Sequence, residues 1–153
     1  MNFMRIKGSH TGTLICADGR IEVHHKDNII LQVGFDFIAD AIGRVQSRPE
    51  PMAYTAIGIG TSSPTPEQTT LDTELFRKVA SYHHDSGTKE FLLKTTFEAG
   101  EGTGAITEAG ICNAVSGGIF LDRVCFADDV IHKGVRDVFE SVFRFVLSGA
   151  EDG

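Results

Sequence analysis

The chain has 153 residues and a formal net charge of −7, with 14 lysines and arginines against 21 aspartates and glutamates. One domain of this length buries roughly 70 % of its unfolded surface, so no disulfide scaffold is needed, and eleven phenylalanines supply core volume. The acidic balance argues against nucleic acid or an anionic membrane as a partner, because both require a basic face.

The sequence carries no recognisable targeting or membrane segment. No window reaches the roughly 18 apolar residues of a membrane span, and residues 1–10 lack the apolar stretch of a signal peptide. Cys16, Cys112 and Cys125 show neither a Cys-x-x-Cys pattern nor a metal-ligand spacing. We expect three reduced, buried thiols in a protein made in the cytoplasm, with a Cys112–Cys125 or intermolecular disulfide as the alternative.

The N-terminal third predicts an arm, a hairpin and a helix. Residues 1–11 are polar and contain glycine, and we predict an N-terminal arm there. Short β-prone runs flank Asp18-Gly19, a dipeptide that favours a tight hairpin turn, and a second turn at Asp27-Asn28 precedes a strand ending at Val33. Apolar residues at helical spacing then predict a helix over residues 34–46. Its apolar face would consist of Phe35, Ile38, Ile42 and Val45.

The rest of the chain predicts strands. Five runs, 54–60, 76–82, 89–98, 106–113 and 118–127, are separated by turns rich in glycine or proline. The last segment, residues 135–147, fits a helical and a strand period equally well, and its valine and phenylalanine content favours a strand. About eight strands with one helix are typical of an antiparallel β-sandwich or jelly-roll-like domain. We assign it to residues 12–148, followed by a flexible tail over 149–153.

No constellation of residues indicates catalysis or metal binding. The glycine-rich stretch 99–104 lacks the Lys-Ser/Thr of a phosphate-binding loop and carries Glu101, so a mobile turn is expected. Adjacent histidines on a strand point to opposite faces, so His24-His25 and His83-His84 are poor chelators, although one His of each with Asp85 is an alternative. Pairs such as Asp128-Asp129 or Glu101 and Glu108 match no calcium-loop spacing. We expect no catalytic residue, cofactor or metal.

Four residues are candidates for an interface. Glu108 and Arg123 are predicted to form an ion pair, across two strands or between subunits, and an exposed pair of little energetic value is the alternative. Phe143 and Phe145 belong to the phenylalanine-rich last strand. We expect that strand in the core, or in an oligomer interface where part of it is exposed.

Several short motifs resemble a group of small tailed-bacteriophage virion proteins. They are Ile57-Gly58-Ile59-Gly60-Thr61, a proline loop through Pro66, Thr70-Leu71-Asp72-Thr73, Arg77-Lys78, Thr107-Glu108-Ala109-Gly110-Ile111 and Leu121-Asp122-Arg123-Val124-Cys125-Phe126. Their order and spacing cover most of residues 12–147. The group includes capsid decoration (cement) proteins and head- or tail-fibre-like proteins. Cys112 and Cys125 depart from its usual small or polar residues.

The resemblance implies a non-enzymatic virion structural protein. The first expectation is a decoration protein that stabilises the head between capsomers, as a homotrimer bound to the major capsid protein. The second is a tail, baseplate or fibre-adaptor protein of the same kind of particle. A carbohydrate-binding or hydrolytic β-sandwich is the rival from another class, and it lacks both tryptophan for sugar stacking and a recognisable carboxylate pair.

Overall fold

A computed structural model describes residues 3–149 of the chain and confirms the mainly β class. Over that range it contains eleven strands and one helix, and the strands pair antiparallel. The strands are β1 (Met4–Ile15), β2 (Ile21–Ile30), β3 (Tyr54–Gly58), β4 (Glu74–Val79), β5 (Ser81–His83), β6 (Glu90–Phe97), β7 (Gly104–Ile106), β8 (Glu108–Cys112), β9 (Asp122–Cys125), β10 (Ile131–Lys133) and β11 (Val138–Gly149). The helix is α1 (Gln32–Gly43).

Nine strands form one nearly closed sheet. Their order is β4-β3-β8-β9-β2-β1-β11-β6-β5, while β7 and β10 make a separate pair. The two edge strands, β4 and β5, are neighbours in sequence and are separated by Ala80 alone. The Ala80 N–H donates to the Ala53 carbonyl, with N and O 2.8 Å apart. The chain thus steps from one edge of the sheet to the other at a single residue, which gives the sandwich a barrel-like form.

The core is filled from alternate positions of the long strands. Along β11, Phe139, Phe143 and Phe145 are fully buried, while the intervening Glu140 and Arg144 are exposed. Side chains two residues apart share one face of a strand, so this alternation is the signature of a half-buried strand. The strand interpretation of the last segment is therefore confirmed over residues 138–147, whereas residues 135–137 precede the strand. The inward side chains of β1 and β6 complete this part of the core; they include Leu14, Leu93 and Phe97.

The prediction of an N-terminal arm is wrong for the residues that the structure describes. Strand β1 starts at Met4 and pairs with β11 along its whole length, from Met4 opposite Gly149 to Ile15 opposite Val138. Gly8, His10 and Gly12 interrupt its inward apolar positions, and side chains of the partner strands fill the space at the two glycines: a Cβ at Gly12 would collide with the Phe139 ring. The apolar alternation that marks a strand is therefore missing. Gly149 closes β11, and the rest of the predicted tail, 150–153, lies outside the described residues, as do 1 and 2.

Other boundaries also differ. The predicted turn at Asp27-Asn28 lies inside β2, and the predicted strand over 76–82 is broken at Ala80, so more than eight strands result. The helix begins two residues earlier and ends three earlier than predicted, and it buries Gly34 and Phe37. Its predicted apolar face is largely wrong. Ile38 packs against the core, whereas Phe35, Ile42 and Val45 are exposed.

Candidate functional site

Glu108 and Arg123 form an ion pair across neighbouring strands. Glu108 opens β8 and Arg123 lies in β9, and these strands pair antiparallel with Glu108 opposite Cys125. Arg123 Nε donates to Glu108 Oε1 over 3.0 Å, and both side chains are completely buried. The cross-strand interpretation is confirmed. The exposed alternative is wrong, and neither side chain reaches the surface to bridge two subunits.

The Glu108 carboxylate gathers three backbone donors besides the arginine. Its Oε1 accepts from the Asp72 N–H at 2.8 Å, and its Oε2 accepts from Gly60 at 2.7 Å and Thr73 at 2.8 Å. A buried carboxylate is stable only when its lone pairs are satisfied and its charge is paired, and both conditions are met here. These donors lie at the two ends of the connection from β3 to β4.

Arg123 holds the middle of the same connection. Its Nη1 donates to the Ser62 carbonyl at 2.7 Å and to Gln68 Oε1 at 3.4 Å, and its Nη2 approaches the Asp72 carboxylate at 3.2 Å. Asp72 in turn accepts from the Ser62 N–H at 3.1 Å and from its hydroxyl. We call residues 59–73 the latched loop, and Glu108, Arg123 and Asp72 with these bonds the Glu108–Arg123 network. Fifteen residues without a strand are thereby tied to β8 and β9.

Two glycines allow the loop to approach this closely. A Cβ at Gly58 would meet the Thr73 carbonyl and the Glu108 carboxylate, and one at Gly60 would meet Asp72 and Glu108. In addition, Thr107 Oγ1 donates to the Gly60 carbonyl over 2.7 Å. The Gly-x-Gly-Thr motif is therefore explained by space: any side chain at these positions would separate the loop from its anchor.

Replacement of Gly60 by alanine tests this packing. We expect the free energy of unfolding to fall by about 1–3 kcal/mol, since overpacking of a tight site costs this much, and the latched loop to become more sensitive to protease. Gly43→Ala is the matched control, because a Cβ there meets nothing within 4 Å and the position lies in a helix. Equal behaviour of the two variants in urea denaturation and limited proteolysis would contradict the latch.

Most of the motifs that carry the family resemblance contribute residues to this network, whereas Arg77 and Lys78 have other partners. Gly58, Gly60, Asp72, Glu108 and Arg123 belong to four separate motifs of the sequence and meet within hydrogen-bonding distance or van der Waals contact. Sequence reasoning paired only Glu108 with Arg123 and missed Asp72. The signal that could have linked the loop to Glu108 was the pair of closely spaced glycines followed by Asp72-Thr73. The backbone N–H groups of Gly60, Asp72 and Thr73 all donate to the Glu108 carboxylate. Chemically, the arrangement anchors the latched loop, because the donors and acceptors of the ion pair form their hydrogen bonds with atoms of the protein itself.

Phe143 and Phe145 lie in the core, so their assignment as interface residues is wrong. Both are fully buried within the single chain. Their ring centroids are 6.2 Å apart in a stacked arrangement, and the Phe143 ring lies 4.5 Å from that of His10. Phenylalanine at alternate positions of a strand indicates a buried face. The pattern is the same whether that face packs in the core of one chain or in an oligomer interface, so the sequence left both alternatives open.

The other candidate side chains have separate partners. His24 is buried between Asp129 at 2.8 Å and Glu22 at 3.3 Å, and the Nδ1 of His84 lies 2.8 Å from the Glu90 carbonyl oxygen. Glu101, in the glycine-rich stretch, pairs with Lys78 at 2.7 Å. Within residues 3–149, no three His, Cys, Asp or Glu side chains are placed to hold a metal ion. Cys16, Cys112 and Cys125 are free and buried.

His10 and Asp122 are two of the buried ionisable groups outside the network, and burial shifts the pKa of each strongly. Burial lowers the pKa of His10 to about 3, with a smaller effect from His25 and His24, and its Nε2 lies 2.8 Å from Ser141 Oγ. Burial raises the pKa of Asp122 to about 7, although the Ile111 N–H, at 2.9 Å, and the Asn28 amide lower it in part. Both groups therefore favour the neutral form inside the protein.

Their effects on stability have opposite signs. Between pH about 4 and 6.5 the unfolded chain protonates His10 and the folded chain does not, so this residue makes stability rise with pH. Over the same range the folded chain keeps the Asp122 proton that the unfolded chain loses, so stability falls with pH.

Removing one of the two groups should leave the pH dependence of the free energy of unfolding that the other group causes. We expect Asp122→Asn to give a free energy of unfolding that rises from pH 4 to 6.5, and His10→Phe to give one that falls. Each slope is bounded by about 1.4 kcal/mol per pH unit for one proton. Urea denaturation at several pH values measures both. Parallel pH profiles for the two variants would contradict these assignments.

No helix in the described part of the chain is long and apolar enough to cross a membrane. Comparison of the chain with protein-family models, with curated protein sequences and with solved structures finds no match.

Proposed function

We propose that the protein is a non-enzymatic structural component of a tailed-bacteriophage virion, a capsid decoration (cement) protein that stabilises the head by binding between capsomers. The observation that carries the proposal is that residues from most of the resemblance motifs form the Glu108–Arg123 network, whose central ion pair is buried. Each motif is short and weak as a signal, but their residues together form one network; these residues are Gly58, Gly60, Asp72, Glu108 and Arg123. The network holds a surface loop, which we interpret as a binding element rather than a reaction centre.

The latched loop is the surface we assign to the capsid. Thr61, Ser63, Thr65 and Glu67 are exposed, while the backbone around them is fixed from beneath by Arg123 and Glu108. A loop already held in one conformation loses less entropy on binding than a mobile one. These four side chains are polar, which suits a contact that forms between two folded and hydrated surfaces.

Assembly multiplies such contacts. A homotrimer presents three copies of the loop, and a symmetric lattice offers a matching site to each, so individually weak contacts add to firm attachment. Extra interface between capsomers raises the energy needed to separate them against the pressure of packaged DNA. The partners proposed are the major capsid protein, other virion proteins and further copies of this chain. No nucleic acid, membrane or cofactor takes part.

The charge fits the same proposal. A net charge of −7 keeps the protein soluble in the host bacterial cytoplasm until it reaches the virion, which is the final location. The acidic surface also avoids the phosphates of viral DNA, which need a basic partner.

Binding of the purified protein to expanded capsids tests the proposal. We expect the protein to sediment with expanded heads and Glu67→Arg to bind more weakly, because this residue lies exposed on the latched loop. Glu140→Arg is the matched control, since it makes the same charge change at an exposed position of β11. Absence of the wild-type protein from the sedimented heads, with the fold intact by circular dichroism, would overturn the proposal.

A tail, baseplate or fibre-adaptor role is the alternative within the same class of particle. The resemblance covers fibre-like proteins as well, and a fixed polar loop serves attachment at either place. Imaging of whole virions separates the two positions, because a decoration protein repeats over the head while an adaptor occupies the tail.

A further inference from the structure

One end of the barrel-like sandwich holds an apolar cavity of about 770 Å³. The inward side chains of β1, β6 and β11 fill the core up to Phe143 and Phe145 and then continue into this space as Ile6, Phe91 and Leu147. The apolar inner face of these strands therefore continues past the packed core and lines the cavity. Volumes of 300–1,000 Å³ are typical of small-molecule sites, which are common at the mouths of barrels.

The opposite wall of the cavity is α1 with the segment that follows it. The helix contributes Phe37, Ile38, Ala41 and Ile42, and the segment after it contributes Pro49, Pro51 and Met52. Only a narrow stripe of α1 is buried, because much of the inner face of the helix borders the cavity and does not contact packed side chains.

A single guanidinium marks the rim. Arg48 is the one formally charged residue of the lining, and it is exposed. Its Nη1 donates to the Arg44 carbonyl at 2.6 Å and its Nη2 to the Ala41 carbonyl at 2.7 Å, which fixes the group beside the end of α1. Within residues 3–149 no carboxylate pairs with it, and two bonds use only part of its five N–H groups.

We propose that this cavity binds a single-chain anionic amphiphile, with the alkyl chain inside and the carboxylate at Arg48. An alkyl chain suits an almost wholly apolar interior, because it brings no polar group that must be satisfied there. A peptide segment would bury amide groups opposite side chains that offer few hydrogen-bond partners, and each unpaired group is costly. The positive charge at the rim selects an anionic head over a cationic one. This inference is independent of the role in the virion.

Calorimetric titration with dodecanoate, below its micelle concentration, tests the site. We expect saturable binding at one site per chain. Ala41→Trp fills the cavity and should weaken binding at least about ten-fold, since overpacking leaves no room for the chain. Ala39→Trp is the matched control, because Ala39 is exposed on the same helix and does not line the cavity. Met4→Trp fills the space from the opposite wall if Ala41→Trp does not fold.

The contribution of the charge is tested separately. Arg48→Gln should weaken dodecanoate about two- to five-fold, the value of one exposed ion pair, and should leave the binding of neutral dodecanol unchanged. Lack of dodecanoate binding to the folded wild-type protein would overturn the proposal. Equal loss of binding in Ala39→Trp and Ala41→Trp, or an equal effect of Arg48→Gln on both ligands, would also overturn it.

Discussion

Replacement of Arg123 by methionine is expected to lower the free energy of unfolding by about 3–5 kcal/mol. The substitution leaves the Glu108 carboxylate completely buried without its counter-charge, and breaking one side of a buried pair costs this much. It also removes the donors for the Ser62 carbonyl and Gln68, so the latched loop loses its central support. Urea denaturation at pH 7 measures the change.

An exposed ion pair provides the control. Arg20 and Asp18 are also 3.0 Å apart, but their side chains are 68 % and 61 % exposed, so we expect Arg20→Gln to leave stability unchanged. The double variant Glu108→Gln/Arg123→Met should lose less than the sum of the two single variants, because neither charge is then left alone. An Arg123→Met protein as stable as the wild type would contradict the proposed anchoring role.

Replacement of Phe143 by alanine is expected to cost about 3–5 kcal/mol of stability, through lost burial and the cavity that remains. The side chain is fully buried between β11 neighbours and His10. Phe35→Ala is the matched control, with the same chemical change at a position that is 51 % exposed, and should have a much smaller effect.

The same variant distinguishes a core residue from an interface residue. A core role predicts that Phe143→Ala shifts the unfolding midpoint equally at low and high protein concentration, with the mass in solution unchanged. An interface role predicts the opposite: dissociation of an oligomer whose subunits keep their stability. Light scattering combined with urea denaturation measures both quantities, and dissociation without destabilisation would restore the interface assignment.

The fold class was accessible from the sequence because turns and strand periods are local signals. Asp18-Gly19 set the first hairpin, and valine and phenylalanine content decided the last strand. The arm was mispredicted for a non-local reason. Gly8 and Gly12 occupy inward positions of β1 because Asn28 and Phe139 from neighbouring strands fill the space, and no local pattern reports this.

The site was predictable only in part, for the same reason. Glu108 and Arg123 are 15 residues apart and lie on adjacent predicted strands, so their pairing could be inferred. The loop partners are 35 to 61 residues away in sequence: Thr73 is the nearest, 35 residues from Glu108, and Ser62 is the farthest, 61 residues from Arg123. Tertiary contact brings them together. Likewise, the apolar cavity depends on where α1 lies, which its helical period does not specify.

The most direct measurement is electron cryomicroscopy of expanded phage heads incubated with the purified protein. The role proposed for the latched loop predicts added density at the contacts between capsomers, with three-fold symmetry and with residues 59–73 facing the shell. Heads that stay bare, or density confined to the tail of whole virions, would contradict the assignment as a capsid decoration protein.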